Sequence, residues 1–372
     1  MQISSAPSDP NALLARAAKY WASGQISEAI KIYSALTQRH PSNVDVLYML
    51  AVAYLETKQY AKGEECLAKA AALAPLLAQC RHMDALLQQQ GRFSPSNSAF
   101  TRYQEFKKIQ GTDVFIISYP KCGRTWLRLL LGKYLQLQFG FDEDAQLLEL
   151  HALTSKFPGL PRVEITHDDF PHWKIASAID RNKRRYAGKK VVFLARDPRD
   201  ALVSYYFQYT RRGDKDLAND SSFNGTVSDF IRHRIGGIDN IITFYNVWAD
   251  QQRIPAAFFL LRYEDLHAEP LPTLRKLLEF LNFPKADDAT LQRVISYCAF
   301  DNMKQMERQD ALKSARLSSP NVTDPESFKV RKGQVAGFGE YLTADDITFL
   351  DQKLAGLDDL FASYKALVSA RG

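Results

Sequence analysis

The chain has 372 residues, of which 46% are hydrophobic and 24% are charged, and its formal net charge is +6. These values are typical of a soluble globular protein that is long enough for two domains. The positive charge suits an anionic ligand. It is diffuse, however, and no nucleic-acid-reading motif accompanies it, so we expect no nucleic-acid partner.

The sequence carries no sign of export or of a membrane span. Its N-terminus lacks a positively charged start followed by an apolar core, and no apolar run approaches the roughly 20 residues of a transmembrane helix. The cysteines are too scattered for a disulfide framework or a zinc site; they are Cys66, Cys80, Cys122 and Cys298. We therefore expect a cytoplasmic protein without a bound metal.

A repeat of 34 residues occupies the first part of the chain. The positions related by this offset are Leu13 and Leu47, Ala17 and Ala51, Tyr20 and Tyr54, and Pro41 and Pro75. The small residues let paired helices approach closely, and the aromatic residues fill the groove beside them. This pattern resembles the tetratricopeptide repeat, a helix–turn–helix unit. It predicts a small all-α domain over residues 1–92, closed by a capping helix at Leu76–Gln90.

Two interpretations of the repeats stay open. They either pack against the next domain or offer a concave surface to a protein partner or an acceptor polymer. A polar stretch with several serines and a proline, Gly91–Ser98, ends the repeats. We therefore predict a linker over residues 93–112 and a second domain over residues 113–372.

An anion site is predicted where the first strand of the second domain meets a helix that opens at about Thr125. Val114–Ile117 form an unbroken apolar run, which suits a parallel strand covered on both faces. The first N–H groups of the helix point into the loop, where Lys121 and Arg124 add positive charge. The loop is not a Walker A loop, because Lys121 precedes Gly123 instead of following a glycine.

Further anchors must come from elsewhere, because one helix terminus contributes only about 0.3–1 kcal/mol toward a charge. Two more apolar strands, Val191–Leu194 and Ala256–Leu261, end in polar stretches and run into helices at Ala201–Arg211 and Leu271–Leu281. This alternation predicts a parallel α/β sheet with functional residues at the carboxyl ends of its strands. The polar, irregular segment Asp310–Val330 is typical of a lid or binding loop.

Four motifs, in this order, resemble those of the sulfotransferase family. YPKCGRTWLR is similar to its 5′-phosphosulfate loop and RDPRDALVSYY to its 3′-phosphate motif, while RYEDL and RKGQVAGFGEYLT are similar to its later blocks. The resemblance covers about residues 113–343 and implies a P-loop-like parallel sheet flanked by helices. It also implies in-line transfer of a sulfuryl group from 3′-phosphoadenosine 5′-phosphosulfate (PAPS) to a hydroxyl or amine acceptor, without a metal.

The resemblance implies a role for each matching residue. Lys121 would contact the bridging oxygen and the sulfonate as a catalytic residue, Trp126 would stack on the adenine, and Tyr263 would hydrogen-bond its edge. Arg196 and Ser204 would bind the 3′-phosphate, and the short segment after the lid would close over it. The donor-binding residues implied in this way are Lys121, Cys122, Gly123, Arg124, Thr125, Trp126, Arg196, Ser204, Tyr263, Arg331, Lys332 and Gly333.

The catalytic base of the family lies in a KTH-type motif after a short strand, and VEITHDDF places His167 there. A histidine, whose ordinary pKa is near neutrality, suits removal of a proton from the acceptor. An alternative stays open because Ile165 replaces the lysine of the family and Asp168 and Asp169 follow directly. One of these carboxylates could orient the histidine or act as the base itself.

Some of these residues also allow a purely structural interpretation. Cys122 replaces the usual serine or threonine, and we expect a small packed residue, although its thiol could lose a proton beside the helix terminus. Arg196 could instead form a strand-end ion pair with Asp197 or Asp200. Trp126 could belong to the core.

The motifs favour a sulfotransferase with a helical repeat domain. The alternatives are a repeat scaffold with a degenerate nucleotide-binding domain and an ATP-dependent phosphotransferase, which the missing Walker lysine disfavours. The GDWK block of the family reads AGFG here, so the acceptor stays undefined. A small molecule, a glycan, a lipid-linked hydroxyl and a protein side chain all remain open.

Overall fold

The computed structural model describes residues 10–57, 59–73, 109, 111–142, 144–212 and 223–365. Contacts along the chain divide it into two compact units, residues 1–111 and 112–372. The predicted capping helix at Leu76–Gln90 and the polar stretch after it lie outside the described residues. The bounds of the linker therefore stay a prediction.

The first unit has helices where the repeat predicted them. They are α1 (Pro10–Ala22), α2 (Ile26–Arg39), α3 (Val44–Glu56) and α4 (Tyr60–Leu73). Ala17 and Ala51 are fully buried between the helices, and Tyr20 and Tyr54 pack half-buried against the same core. The small residues thus permit close helix approach and the tyrosines fill the space beside them. The predicted helix–turn–helix repeats are confirmed.

The second unit is built on a parallel sheet. Its described strands are β1 (Val114–Ile117), β2 (Val163–Thr166), β3 (Lys190–Ala195) and β4 (Ala257–Arg262), in the spatial order β2-β1-β3-β4. All neighbouring strands run parallel. The four side chains of β1 are buried, as expected for a central strand covered by helices on both faces. The predicted parallel α/β sheet is confirmed.

Helices surround this sheet. In the described residues they are α5 (Arg124–Phe139), α6 (Leu150–Lys156), α7 (Pro198–Arg212), α8 (Val227–Arg232), α9 (Ile238–Asp250), α10 (Tyr263–Ala268), α11 (Pro270–Phe280), α12 (Asp288–Tyr297), α13 (Phe300–Arg308), α14 (Ala344–Leu354) and α15 (Ala362–Lys365). The predicted helix after β3 begins earlier than expected because Pro198 fits the first turn of a helix. None of the described helices is both long and apolar enough to cross a bilayer.

The register of the sheet brings the carboxyl ends of its strands together. Ile117 at the end of β1 lies opposite Thr166 of β2 and Phe193 of β3. Ala195 at the end of β3 lies opposite Arg262 of β4. Residues that directly follow the four strands therefore meet at one edge, where parallel sheets place their ligands.

The segment over residues 310–330 is irregular apart from two short 3₁₀ turns, Ala315–Leu317 and Pro325–Ser327. A buried ion pair fastens it to the sheet helices. Arg212 of α7 lies 3.3 Å from Glu307 of α13 and also donates a hydrogen bond to the segment. The segment is therefore held at the sheet edge, as a binding loop would be.

Candidate active site

A cavity of about 560 Å³ opens at the carboxyl edge of the sheet. Residues that follow each of the four strands line it, and so does the segment that follows the irregular stretch. The predicted site residues found on its walls are Lys121, Gly123, Arg124, Thr125, Trp126, His167, Arg196, Ser204, Tyr263, Arg331, Lys332 and Gly333. The structure thus brings together positions that span more than 200 residues of sequence.

The loop between β1 and α5 has a backbone that depends on Gly123. This residue is the N-cap of α5 with φ at +100°, a conformation that L residues with a side chain rarely adopt. A Cβ atom at this position would lie 2.7 Å from the ring of Tyr263. The absence of a side chain therefore lets the loop and the end of β4 approach each other.

We expect Gly123→Ala to lower the free energy of unfolding by about 2–4 kcal/mol, because backbone strain adds to a steric clash. Urea denaturation measures this loss. Gly140→Ala is the matched control, since Gly140 also has a positive φ of 67°, but a Cβ atom added there would meet no atom within 4 Å. Equal losses in the two variants would contradict a role for the Tyr263 contact.

Cys122 is fully buried, and its side chain does not line the cavity. The thiol lies 3.5 Å from the hydroxyl of Tyr245. Burial raises the pKa of this thiol to about 12, so it stays protonated despite the nearby helix terminus. Cys122 is thus the packed residue that we expected, and any contact with a ligand in the cavity would have to come from its backbone.

Lys121 projects half-buried into the cavity, where its ammonium donates a hydrogen bond to Gln208 at 3.2 Å. Burial lowers its pKa to about 7, and the charges of Arg212, Lys329 and Arg196 act in the same direction. The negative charges around the cavity therefore do not fully balance its positive charges. A bound anion would oppose both effects by its own charge and favour the charged lysine.

Arg196 connects three parts of the site. Its guanidinium donates to the carbonyl of Lys121 at 3.1 Å and to that of Gln334 at 2.9 Å, and it lies over the ring of Tyr263 at 4.4 Å. The guanidinium also lies 3.7 Å from the carboxylate of Asp200. The strand-end ion pair considered from the sequence is therefore present as a long contact. The buried Nε of Arg196 has no hydrogen-bond partner among the described residues.

Asp197, the other candidate partner for Arg196, is engaged elsewhere. Its carboxylate forms a buried ion pair with Arg199 at 2.7 Å. The hydroxyl of Tyr245, on α9, accepts from the backbone N–H of Arg196 at 2.9 Å and donates to its carbonyl at 2.8 Å. Tyr245 therefore fixes the backbone at the end of β3 and with it the start of the arginine side chain.

The segment at residues 331–333 closes one side of the cavity. Arg331 donates to Glu326 at 2.9 Å and stacks over Phe207 at 4.5 Å, while its buried Nε has no partner among the described residues. Lys332 forms an ion pair with Glu340 and is about one-third exposed. Arg196 and Arg331 thus place two guanidinium charges at the same cavity, which an anion would neutralise.

Aromatic side chains form the opposite wall. Trp126 packs edge-to-face against Tyr263 with ring centroids 5.5 Å apart, and its indole N–H donates to the carbonyl of Cys298 at 3.1 Å. Both rings also line the cavity. Trp126 therefore packs as a core residue and also has an accessible face that a flat ligand can contact.

His167 follows β2 and has two hydrogen-bond partners, one of which accepts and one of which donates. Its Nδ1 lies 2.8 Å from the carbonyl of Ser118, and its Nε2 contacts the guanidinium of Arg124. Burial, the Arg124 charge and the neighbouring His172 hold the pKa of His167 well below its ordinary value. The imidazole is therefore neutral at neutral pH, which is the state a proton acceptor requires.

Asp168, the alternative base, does not line the cavity. Lys183 and Arg185 pair with its buried carboxylate, and Tyr186 and Trp248 donate hydrogen bonds to it at 2.7 and 2.9 Å. Burial raises its pKa, but the two cations outweigh that effect and hold the pKa well below the usual range. This carboxylate anchors the chain beside His167 and has no free lone pair directed at the cavity.

Comparison with known proteins explains this arrangement. The family profile described as "Sulfotransferase domain" matches residues 111–356, which is most of the second unit. The chain belongs to the sulfotransferase family. A second profile, for the tetratricopeptide repeat, matches residues 5–89. The enzyme class predicted from the four motifs and the nature of the repeats are both confirmed.

Individual sulfotransferases are only distantly similar. Cytosolic sulfotransferase 5 of Arabidopsis thaliana is 26% identical over 66% of this chain and 80% of its own length. Flavonol 3-sulfotransferase of Flaveria bidentis is 24% identical over 66% of this chain and 81% of its own length. The crystal structure of mouse sulfotransferase SULT7A1 complexed with PAP covers 69% of this chain and 88% of that chain, with 18% identity and a TM-score of 0.44.

Several residues that line the cavity of this sulfotransferase were not predicted from the sequence. They include His172, Gln208 and Met303, whereas Lys329 lies in the segment that was predicted to be a lid or binding loop. Gln208 had a readable signal, since it stands one helical turn after Ser204 on α7 and shares its face. The others lie in irregular segments or on a helix that we did not predict. Their part in the site follows from tertiary packing alone.

Proposed function

We propose that this sulfotransferase moves a sulfuryl group from PAPS to a hydroxyl or amine acceptor by in-line displacement. The observation that carries the proposal is the convergence of cations around the N-terminus of α5. Lys121, Arg196 and Arg331 come from distant parts of the chain and line one cavity. Their summed charge supplies the additional anchors that a single helix terminus lacks.

The residues present fit the two charged ends of PAPS. The loop amides from Gly123 to Trp126 would hold the 5′-phosphosulfate at the start of α5. Arg196 and Ser204 would bind the 3′-phosphate, with residues 331–333 closing over it. The charges of Arg196 and Arg331 at the cavity wall support this assignment, because an anionic phosphate would neutralise them. Trp126 and Tyr263 would receive the adenine.

The chemistry assigned to the protein is proton removal and charge stabilisation. His167 takes the acceptor proton on Nε2 as the acceptor oxygen or nitrogen forms its bond to sulfur. The bond between sulfur and the bridging oxygen breaks, and its electron pair leaves with the phosphate of adenosine 3′,5′-bisphosphate (PAP). Lys121 stabilises the charge that builds on that phosphate. The balance requires no metal.

The remaining assignments are proposals of the same kind. We infer a cytoplasmic enzyme, in line with the similarity to cytosolic sulfotransferase 5 of Arabidopsis thaliana. The helical repeats would bind a protein partner or help to bind the acceptor. The acceptor is a small molecule or a glycan with a free hydroxyl or amine. We place the repeat domain at residues 1–92, the linker at 93–112 and the transferase domain at 113–372.

Calorimetry with PAP and adenosine 5′-phosphate tests the nucleotide assignment. We expect Arg196→Ala to weaken PAP binding by about 10–100-fold, because it removes charge-assisted hydrogen bonds to the 3′-phosphate. Binding of adenosine 5′-phosphate should change much less. Arg262→Ala is the matched control, since Arg262 ends the neighbouring strand, is partly exposed and does not line the cavity.

Two outcomes would contradict the proposal. If the wild-type protein binds adenosine 5′-phosphate as tightly as PAP, the site does not read a 3′-phosphate. If it binds neither nucleotide, the α/β domain is a degenerate one and the scaffold alternative gains support. A strong preference for ATP over PAP would instead indicate phosphoryl transfer.

A further inference from the structure

The side chain of Arg124 reaches the atom that the proposed mechanism needs as its base. Arg124 is the first residue of α5, and its guanidinium contacts Nε2 of His167 at the wall of the cavity. The backbone of this residue belongs to the anion loop. Its side chain, by contrast, extends to the end of a different strand, β2.

The two partners of His167 define its protonation state. The carbonyl of Ser118 can only accept, so Nδ1 carries the proton in that 2.8 Å hydrogen bond. A guanidinium can only donate, so Nε2 offers its lone pair to Arg124. Both contacts require the same neutral tautomer. The lone pair of the base is therefore already occupied in this structure.

The Arg124 cation lacks a counter-ion among the described residues. Its only hydrogen bond there is to His167, and no carboxylate pairs with it. Burial lowers its pKa to about 9, and the charge of Arg128 acts in the same direction. A half-buried cation without an anion is unfavourable, so an arriving anion would draw the guanidinium toward it.

The anion that the proposed donor brings to this place is its sulfuryl group. Lys121 and Arg124 stand on the same loop and both line the cavity, so a sulfonate held by Lys121 would share that cavity with the Arg124 guanidinium. Ile165 is buried in β2, so the cation beside the base comes from the loop and not from the strand that precedes His167.

We propose that Arg124 is a positioning residue that caps Nε2 of His167 before the donor binds and shifts to the sulfuryl group when PAPS arrives. The shift frees the lone pair for the acceptor proton at the moment when the sulfuryl group is in place. It also adds a cation to the group being transferred. This inference rests on the proposed function, because it assumes that PAPS occupies the cavity.

Other groups around His167 stay constant over the pH range of an assay. Those that face it are Arg124 and Arg128 from α5, His172 from the turn after β2, and the uncharged carbonyl of Ser118. Burial lowers the pKa of His172 to about 3, so it remains neutral. Arg128 donates to the carbonyls of Leu148 and Ile165 and keeps its charge. A change in the pKa of His167 would therefore report movement of Arg124.

The first test follows the imidazole of His167 by ¹⁵N NMR during a pH titration. In the protein without added nucleotide we expect Arg124→Gln to raise the pKa of His167 toward its ordinary value, because a lowering charge is lost. PAPS without an acceptor should raise this pKa in the wild type by more than PAP does. The additional rise should be smaller in Arg124→Gln, where no cation can move away.

The second test is kinetic. We expect Arg124→Gln to lower kcat by about 10–100-fold, the loss typical of a hydrogen bond to a charged group. The acid limb of kcat/KM for the donor, which reports the free enzyme, should move to higher pH. Arg124→Lys keeps the cation and should recover part of kcat. Arg275→Gln is the control, since this partly exposed arginine of α11 pairs with Asp288 and does not line the cavity.

The outcomes separate this inference from the function on which it rests. If Arg124→Gln turns over and titrates like the wild type, Arg124 does not position the base, while sulfuryl transfer stands. If the wild type binds no PAP, the proposed function fails first. A variant that is inactive because it is misfolded shows itself by loss of PAP binding in calorimetry, and Arg124→Lys then decides the question.

Discussion

Replacing His167 by alanine should lower turnover by about 10²–10⁴-fold, the usual contribution of a general base. The affinity for PAP should stay close to that of the wild type, because the imidazole touches the loop through Arg124 and the carbonyl of Ser118 rather than through the nucleotide anchors. Transfer of sulfate from labelled PAPS to an acceptor panel, paired with PAP calorimetry, measures both quantities on the same preparation.

His151→Ala provides the matched control, since His151 lies on α6 and does not line the cavity. Unchanged turnover in His167→Ala would assign proton removal to another group. Asp168 is a poor substitute, because its carboxylate is surrounded by four donors and is buried away from the cavity. A loss of PAP binding together with turnover would mean that His167 supports the loop and is not only a base.

Replacing Lys121 by alanine should lower turnover by about 10²–10³-fold, because the variant loses a charge aimed at the leaving phosphate. PAP affinity should also fall, since this ammonium lies in the cavity beside Arg196. The backbone strain at this position should be the same in the wild type and in the variant. Lys121 has φ at +66°, and alanine meets the same strain there as lysine does.

Proton uptake gives an independent measure of the same residue. The pKa of Lys121 is lowered to about 7, so part of the population lacks the charge near neutral pH before an anion binds. A bound phosphate raises that pKa, so PAP binding near neutral pH should take up a fraction of a proton. Calorimetry in buffers of different ionisation enthalpy measures this uptake, which Lys121→Ala should abolish.

Lys133→Ala is the control for this experiment, since Lys133 lies on α5, the helix that follows the loop of Lys121, but faces the ring of Tyr297, outside the cavity. Uptake that persists in Lys121→Ala would assign the titration to another cation, of which Lys329 is the nearest candidate. The pKa of Lys329 is lowered to about 8 by burial and by Arg212.

Much of the site could be predicted because its parts are local in sequence. Each of Lys121, Arg196 and Tyr263 closely follows an apolar strand, and the period of the flanking residues identifies both strand and helix. The parallel topology then forces these strand ends to one edge. The strand–loop–helix unit, the sheet and their common edge could therefore be predicted from the sequence.

The rest depends on contacts between distant residues. Nothing near Arg124 in the sequence indicates that its side chain reaches His167, and nothing near Asp168 indicates the four donors that hold it. Helix α9 is buried on most of its surface and carries Tyr245, which fixes the backbone of Arg196. Such partners are chosen by packing, and local periodicity carries no information about them.

The order of the strands has a consequence for synthesis on the ribosome. Each repeat helix packs against its neighbours along the chain, so the first unit can fold as it emerges. The β1 strand must wait for its partners β2 and β3, and β3 must wait for β4 near residue 257. The strands that emerge first therefore keep unpaired edges while many further residues are synthesised. The cavity is complete only when Gly333 has left the ribosomal tunnel.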